Sequence, residues 1–248
     1  MTRSYKTALM ILPIILCLNS RAFPQFQIDV ETGGLFSGYN DVRIPGDTGT
    51  LFSLSEELEA DPEVYFRARL YYAFNPRHTI FLLFAPLSVN SSGEIDRDIT
   101  FQSVTFPANT PLETLYRFNS YRLSYRYGLY NSENIEFGLG LTAKIRDAEI
   151  RVTGGSLEAK KTNVGFVPLI NFHFLWKFHE RFGALLDGDA LAAPQGRAED
   201  ILAAITYEAS DRIQVRAGYR FLEGGADNDE VYGFALFHYL SLGVKVGF

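Results

Sequence analysis

His173, Asp187 and Ser124 are the residues whose types suit nucleophilic catalysis: a hydroxyl to attack, an imidazole to take its proton, a carboxylate to orient the ring. The turn His179-Glu180-Arg181 bears on whether two of them meet. A hairpin centred on Glu180 pairs residues whose numbers sum to 360, twice 180, which sets His173 opposite Asp187 and Asn171 opposite Asp189. Opposed side chains on one face of a sheet lie with Cβ atoms about 4.5–5.5 Å apart. His173 and Asp187 are therefore expected to interact, as a structural ion pair, a proton-sensitive gate or half of a catalytic set. Ser124 lies on a strand that is not their immediate neighbour. His238 shares a face with Leu240 and Leu242 and is expected at the outer lipid interface. The lone Cys17 excludes a disulfide framework and a Cys-rich zinc site. No metal site and no cofactor are predicted. The run from Glu223 to Glu230 has the carboxylates and glycines that suit a hard cation. It lacks the EF-hand spacing and reads as a solvated acidic loop. Gly138-Leu139-Gly140 lacks the third glycine of a phosphate-cradling loop.

A larger set of charges needs an interior to hold it. Arg122, Arg126, Arg216 and Arg220, with Arg67, Arg69, Lys144 and Arg146, share faces with small and polar residues, and the acids Glu136, Asp187, Asp189 and Glu208 are placed to meet them. The elements that carry them alternate with period two. Ile135, Phe137, Leu139, Leu141, Ala143 and Ile145 form one face, and Glu136, Gly138, Gly140, Thr142, Lys144 and Arg146 the other. The same pattern recurs from Tyr121 and from Ile213. No segment after residue 25 sustains a helical period, and none has 18 consecutive apolar residues, so a helical membrane protein is excluded.

Alternation fits two architectures of opposite polarity: a soluble secreted sandwich with its apolar faces inward, or a membrane barrel with its apolar faces in lipid and its charges in the lumen. Strand length favours the barrel. The alternating runs extend for about 10–18 residues, whereas soluble strands average about 5–6 and a bilayer needs about 9–11. Tight turns at residues 75–78, 131–134, 179–181 and 210–212 alternate with longer polar segments near 40–62, 90–112, 153–160, 193–200 and 223–230. Short turns at one end and long loops at the other is the arrangement of outer-membrane barrels. Aromatics crowd the tight-turn ends (Tyr72, Phe74, Tyr130, Trp176, Phe178, Phe182 and Tyr207 among them), where an interfacial girdle belongs. The chain is 47% hydrophobic, 21% charged and −6 overall, which gives nucleic acid no electrostatic footing.

The last strand is the most specific motif. Leu240, Leu242, Val244, Val246 and Phe248 lie on one face, with Ser241, Gly243, Lys245 and Gly247 on the other. An alternating final strand ending in Phe resembles the assembly signal of small bacterial outer-membrane β-barrel proteins of the OmpA, OmpW and opacity type. The resemblance implies an all-β fold, a transmembrane antiparallel up-and-down β-barrel in the bacterial outer membrane. It also implies the barrel-assembly machinery as a partner during biogenesis, and outer-membrane lipid and lipopolysaccharide as surroundings. Ten strands are expected, at roughly 25–38, 63–75, 79–89, 113–130, 135–152, 162–177, 182–192, 200–209, 213–223 and 231–248, with eight as the alternative. Gly33-Gly34 is a candidate bulge, and residues 51–58 a candidate short helix in the first long loop. Arg197, Glu199 and Asp200 are expected to pair locally.

At the other end, Arg3 and Lys6 precede an apolar run from Ala8 to Leu18, and Ser20-Arg21-Ala22 offers a small-residue cleavage site. These are the parts of a secretory signal peptide over residues 1–22, which leaves a single barrel domain over 23–248. Cleavage leaves 20 basic residues against 29 acids, a charge of −9. The expected function is a structural barrel or narrow passive channel, with extracellular loops and a charged, largely plugged lumen. In that lumen His173, Asp187, Asp189, Arg122, Arg126, Arg216 and Arg220 form a polar binding network. The excess of basic over acidic lumen residues weakly favours anions. No catalytic residues are assigned; a lipid-modifying enzyme is the alternative, and a soluble β-sandwich binding protein the second.

Overall fold

A sheet that is apolar on one face and charged on the other must stack or close, and this one closes. The computed structural model describes residues 25–194 and 196–248, so the expected signal segment lies outside the described residues. Ten strands form the wall: β1 (Phe26–Arg43), β2 (Glu63–Asn75), β3 (His78–Ala85, resuming at Ser88–Glu94 after Pro86), β4 (Pro111–Asn131) and β5 (Ile135–Gly154), then β6 (Leu157–Lys177), β7 (Phe182–Ala193), β8 (Gly196–Ser210), β9 (Ile213–Asp227) and β10 (Tyr232–Gly247). Each pairs antiparallel with its chain neighbours, and β1 pairs with β10 from Gln27↔Gly247 to Arg43↔Tyr232. The barrel is therefore complete, and neither the sandwich nor the eight-strand alternative describes it.

Outward side chains define an apolar belt. On β5, Leu139, Leu141 and Ile145 are exposed, and on β6 so are Phe166, Ile170, Phe174 and Trp176. Above Ile145 the same outward face of β5 turns charged: Arg117 of β4 lies 3.4 Å from Asp147 and 3.2 Å from Glu149. That change marks the upper membrane boundary. At the tight-turn end, Trp176 packs on Phe178 (5.7 Å between centroids) and Phe182 on Tyr207 (5.0 Å), forming the aromatic girdle.

The turns at Asn75–His78, Asn131–Ile135, Lys177–Phe182 and Ser210–Ile213 are short, as expected. Three of the five predicted long loops are not loops. β5 and β6 stay paired up to Gly154↔Leu157, and β7 and β8 up to Ala193↔Gly196, so 153–160 and 193–200 are mostly wall. Of 223–230 only the last residues turn, since β9 runs to Asp227. Most polar residues there sit on strand ends above the belt, where polar composition no longer marks a turn, whereas Asp200 faces the lumen at 2% exposure.

The two long connections fold into a cap. Residues 44–62 and 95–110 bring Ile44, Phe52, Leu54, Leu58, Ile99, Phe101 and Phe106 together over Val42, Leu112 and Val152 of the wall, all nearly or fully buried. Residues 51–58 form no helix. Phe52–Ser53 pairs with the end of β1, a turn follows, and Glu59–Ala60 pairs with Ser91–Ser92. Arg97 joins the two connections by bonding Glu57 and by donating to the Leu51 carbonyl at 2.9 Å.

Two irregularities shape the lumen. The bulge in β1 falls between Ser37 and Asn40, not at Gly33-Gly34. It switches the inward set from Asp29, Glu31 and Leu35 to Asn40 and Val42. Gly33, at φ +148°, is needed for close approach, because a Cβ there would meet the Leu240 carbonyl oxygen at 1.8 Å. The second irregularity is a split seam. β6 pairs with β7 only from Lys177↔Gly183 to Ile170↔Ala190, while from Leu169 to Leu157 β6 pairs with β5 alone. Pro168, which has no N–H to offer a neighbour, stands just above the last pair.

Candidate functional site

Parity aims the even-numbered side chains of β4, β5, β8 and β9 and the odd-numbered ones of lower β1, β2, β6 and β7 into the lumen. At mid-barrel these meet as one ionic network. Arg220 grips Glu31 with two parallel bonds (Nε to Oε1 2.7 Å, Nη2 to Oε2 2.8 Å) and also holds Asp200. Arg67 reaches Asp200 at 2.7 Å and Arg122 reaches it at 2.6 Å, so one carboxylate gathers three guanidinium groups. Arg122 also binds Asp189 at 2.7 Å. Arg216 lies 2.7 Å from Asp29 and 3.0 Å from Glu31, and Arg69 lies 3.7 and 3.6 Å from the same pair. Bidentate and shared geometry of this kind is what a guanidinium fork supplies and an ammonium does not.

The expected register between β6 and β7 is present, with His173↔Asp187 and Asn171↔Asp189. His173 Nδ1 is 2.9 Å from Asp187 Oδ2, and Arg126 Nη2 reaches the same oxygen at 2.7 Å. Asn171 donates to Asp189 at 2.9 Å and accepts from Arg126 at 2.7 Å. All seven residues expected to form a lumen network thus face the lumen. Lys144 is inward and buried, and Arg146, also inward, bonds Asn163 of β6. Glu136 and Glu208 lie apart from the mid-barrel network, on Lys177 (2.8 Å) and Gln214 (2.7 Å). The terminal set Leu240, Leu242 and Val244 points outward, and Phe248 donates its N–H to the Phe26 carbonyl at 2.9 Å.

Three acids of the network escape the sequence reading: Asp29, Glu31 and Asp200. The first two are signalled by Ile28 and Val30 alternating with them. Asp200 was expected to pair locally with Arg197, but it stands inside the barrel, and Arg197 binds Glu223 at 2.7 Å instead. Glu223 is therefore a wall residue and not part of a cation loop. No cluster of three metal-ligating residues occurs among the described residues. Ser124 shares a 2.6 Å bond with Thr142, which bonds Asp189 in turn, and Ser124 makes no bond to His173. His238 faces outward and bonds Tyr219, in keeping with an interface position.

The network divides the lumen. Toward the tight-turn end lies a polar chamber of about 280 Å³, reached by Arg126, His173, Tyr71 and Lys245. Toward the cap lies a larger cavity of about 560 Å³ whose walls include Tyr116, Phe118, Leu222, Phe234 and Phe237, with Lys144 also in the lining.

No protein-family model and no curated protein matches the chain. Solved structures do. The outer membrane protease OmpT of Escherichia coli aligns over 90% of this chain and 96% of its own, at 12% identity and a TM-score of 0.57. The translocator domain of the autotransporter NalP of Neisseria meningitidis aligns over 92% and 90%, at 11% identity and a TM-score of 0.46. The attachment invasion locus protein Ail of Yersinia pestis aligns over 90% and 99%, at 12% identity and a TM-score of 0.39. At such identities a match speaks to the fold alone. With its apolar belt, aromatic girdle and closed sheet, this chain has the fold of the small β-barrel proteins of the bacterial outer membrane.

Proposed function

We propose that this protein is a structural outer-membrane barrel with a closed axis, whose working surfaces are its cap and outer half. The observation that carries the reading is the mid-barrel network. Arg67, Arg69, Arg122, Arg216 and Arg220, with Asp29, Glu31, Asp189 and Asp200, are all at most 6% exposed. A barrel this narrow has an interior of a size that side chains fill, and these side chains are tied across it by ion pairs. Six guanidinium groups, counting Arg126, face five carboxylates, counting Asp187. The pairing is nearly balanced, which suits a plug better than an ion path.

A narrow passive channel is the second reading, favoured by the polar chamber at the tight-turn end and by the His173–Asp187 pair above it. A lipid-modifying enzyme would need a nucleophile at His173, and Ser124 is engaged with Thr142. Planar-bilayer recording of the purified barrel separates the first two. Closed-axis behaviour predicts no steady conductance steps at neutral pH. Stepwise, anion-selective conductance that changes when His173 is replaced by Ala would overturn it and establish the channel.

A further inference from the structure

We infer that the cavity beneath the cap is a binding site for a single-chain amphiphile with an anionic head, open sideways to the outer half of the membrane. Lys144 supplies the first argument. It is only 2% exposed, it lines the cavity, and its ammonium sits 4.8 Å over the Phe118 ring. Among the described residues it forms no ion pair with a carboxylate within 4 Å, although the guanidinium groups of the network below it are all paired. A buried cation without a counter-charge is costly, and an incoming anion relieves that cost. Arg146, two residues along on the same inward face, lines the same cavity, bonds the neutral Asn163, and stands 6.0 Å from the same Phe118 ring. The two neighbouring cations form a receptor for a compact anionic head.

The second argument is the wall. Outward Phe166 and Pro168 line the same cavity as inward Lys144 and Phe237, so the cavity passes through the barrel side. It does so where β6 loses β7, above Ile170↔Ala190. Phe166 on the free edge, opposite Ile145, still faces the apolar belt at 64% exposure, and Val164, opposite Asp147, marks the rim above it. The opening is therefore at membrane height, below the charged rim at Asp147 and Glu149. Lys161 of β6 and Glu230, 3.5 Å apart, bridge the top of the gap. An apolar tail can lie through the gap while the head reaches Lys144. At about 560 Å³ the cavity falls within the range of about 300–1,000 Å³ usual for ligand sites.

The test is saturation binding of radiolabelled dodecanoate to the full barrel in phosphatidylcholine nanodiscs, corrected for empty discs. Wild type is expected to bind saturably, and methyl dodecanoate to bind at least tenfold more weakly. Lys144→Met is expected to weaken dodecanoate at least tenfold, about 1.4 kcal/mol, and to leave the ester unchanged; heat-modifiable mobility checks that it folds. Ala193→Trp, on the β7 side of the gap and in the cavity lining, is expected to slow dodecanoate association. No saturable binding, or equal affinity for acid and ester, or wild-type affinity in Lys144→Met, overturns the site. Unchanged association in Ala193→Trp overturns the lateral route. A conducting barrel would sink the closed-axis reading and leave this one standing.

Discussion

Asp200 accepts from Arg67, Arg122 and Arg220 at once, at 2% exposure, so its carboxylate is the charge on which the network balances. Replacing it by Ala leaves three buried guanidinium groups short of a partner. Breaking a buried pair costs about 3–5 kcal/mol, and Asp200→Ala is expected to fall there in urea unfolding from lipid vesicles. Glu208→Ala, next to Gln214 and away from the network, is expected to stay within about 0.5 kcal/mol. Equal midpoints for the two would contradict the ionic network as the barrel's internal brace. The seven network residues anticipated from parity lie on stretches of strand where the alternation is unbroken, clear of the bulge at Leu129. Asp29 and Glu31 were legible by the same rule, but a suspected bulge at Gly33-Gly34 obscured the facing of that strand. Asp200 was hidden by a boundary: Pro194, Gly196 and the charges around them look like loop, and the strand starts four residues earlier than those signals indicate.

Strands are the elements here, and their two ends obey different solvents. Leu141 is 69% exposed and pairs with Ile170 in the belt, whereas Val164 pairs with Asp147 at the charged rim. Arginine near mid-membrane on a barrel's lipid face costs about 2–4 kcal/mol, falling to about 0–1 near the interface. Leu141→Arg is therefore expected to lower the folding free energy in vesicles by that larger amount, and Val164→Arg by the smaller; equal losses would misplace the membrane boundary. On the lumen side of the same strand Thr142 is 2% exposed and bonded to Ser124 and Asp189, so Thr142→Arg is expected to fail through overpacking and not through lipid. The cap carries a pH dependence of its own. The Arg97 guanidinium holds the Glu57 carboxyl below the usual carboxylate range, against partial burial and with help from the Ser53 N–H. A depressed carboxylate contributes stability above its unfolded pKa and loses it as pH falls through the folded value. Proteolysis of residues 44–62 is expected to accelerate only in acid buffer below the ordinary Glu range, and Glu57→Gln is expected to be fast at every pH. A pH-independent wild type would show that the exposed pair holds nothing. Loop positions above the rim were the least legible feature, because composition tracks solvent and the tall β4–β6 wall stands in water.

At the scale of the molecule, the last strand is the partner of the first. If Phe248 is the assembly signal, its deletion is expected to leave unfolded protein in the periplasm, since β10 must be recognised before closure removes its edge. Unchanged heat-modifiable mobility of the deletion in isolated outer membranes would count against that role. Closure also has a temporal consequence. Gln27 faces Gly247, so the pairing that makes the cylinder joins residues at opposite ends of the described chain. All the other wall pairings are between sequence neighbours and can form as local hairpins. The closing one involves the largest sequence separation, and folding slows as such separations grow. The rate-limiting event should then be a ring closure that waits for the whole polypeptide, during which both β1 and β10 present bare backbone to any chaperone or neighbouring chain.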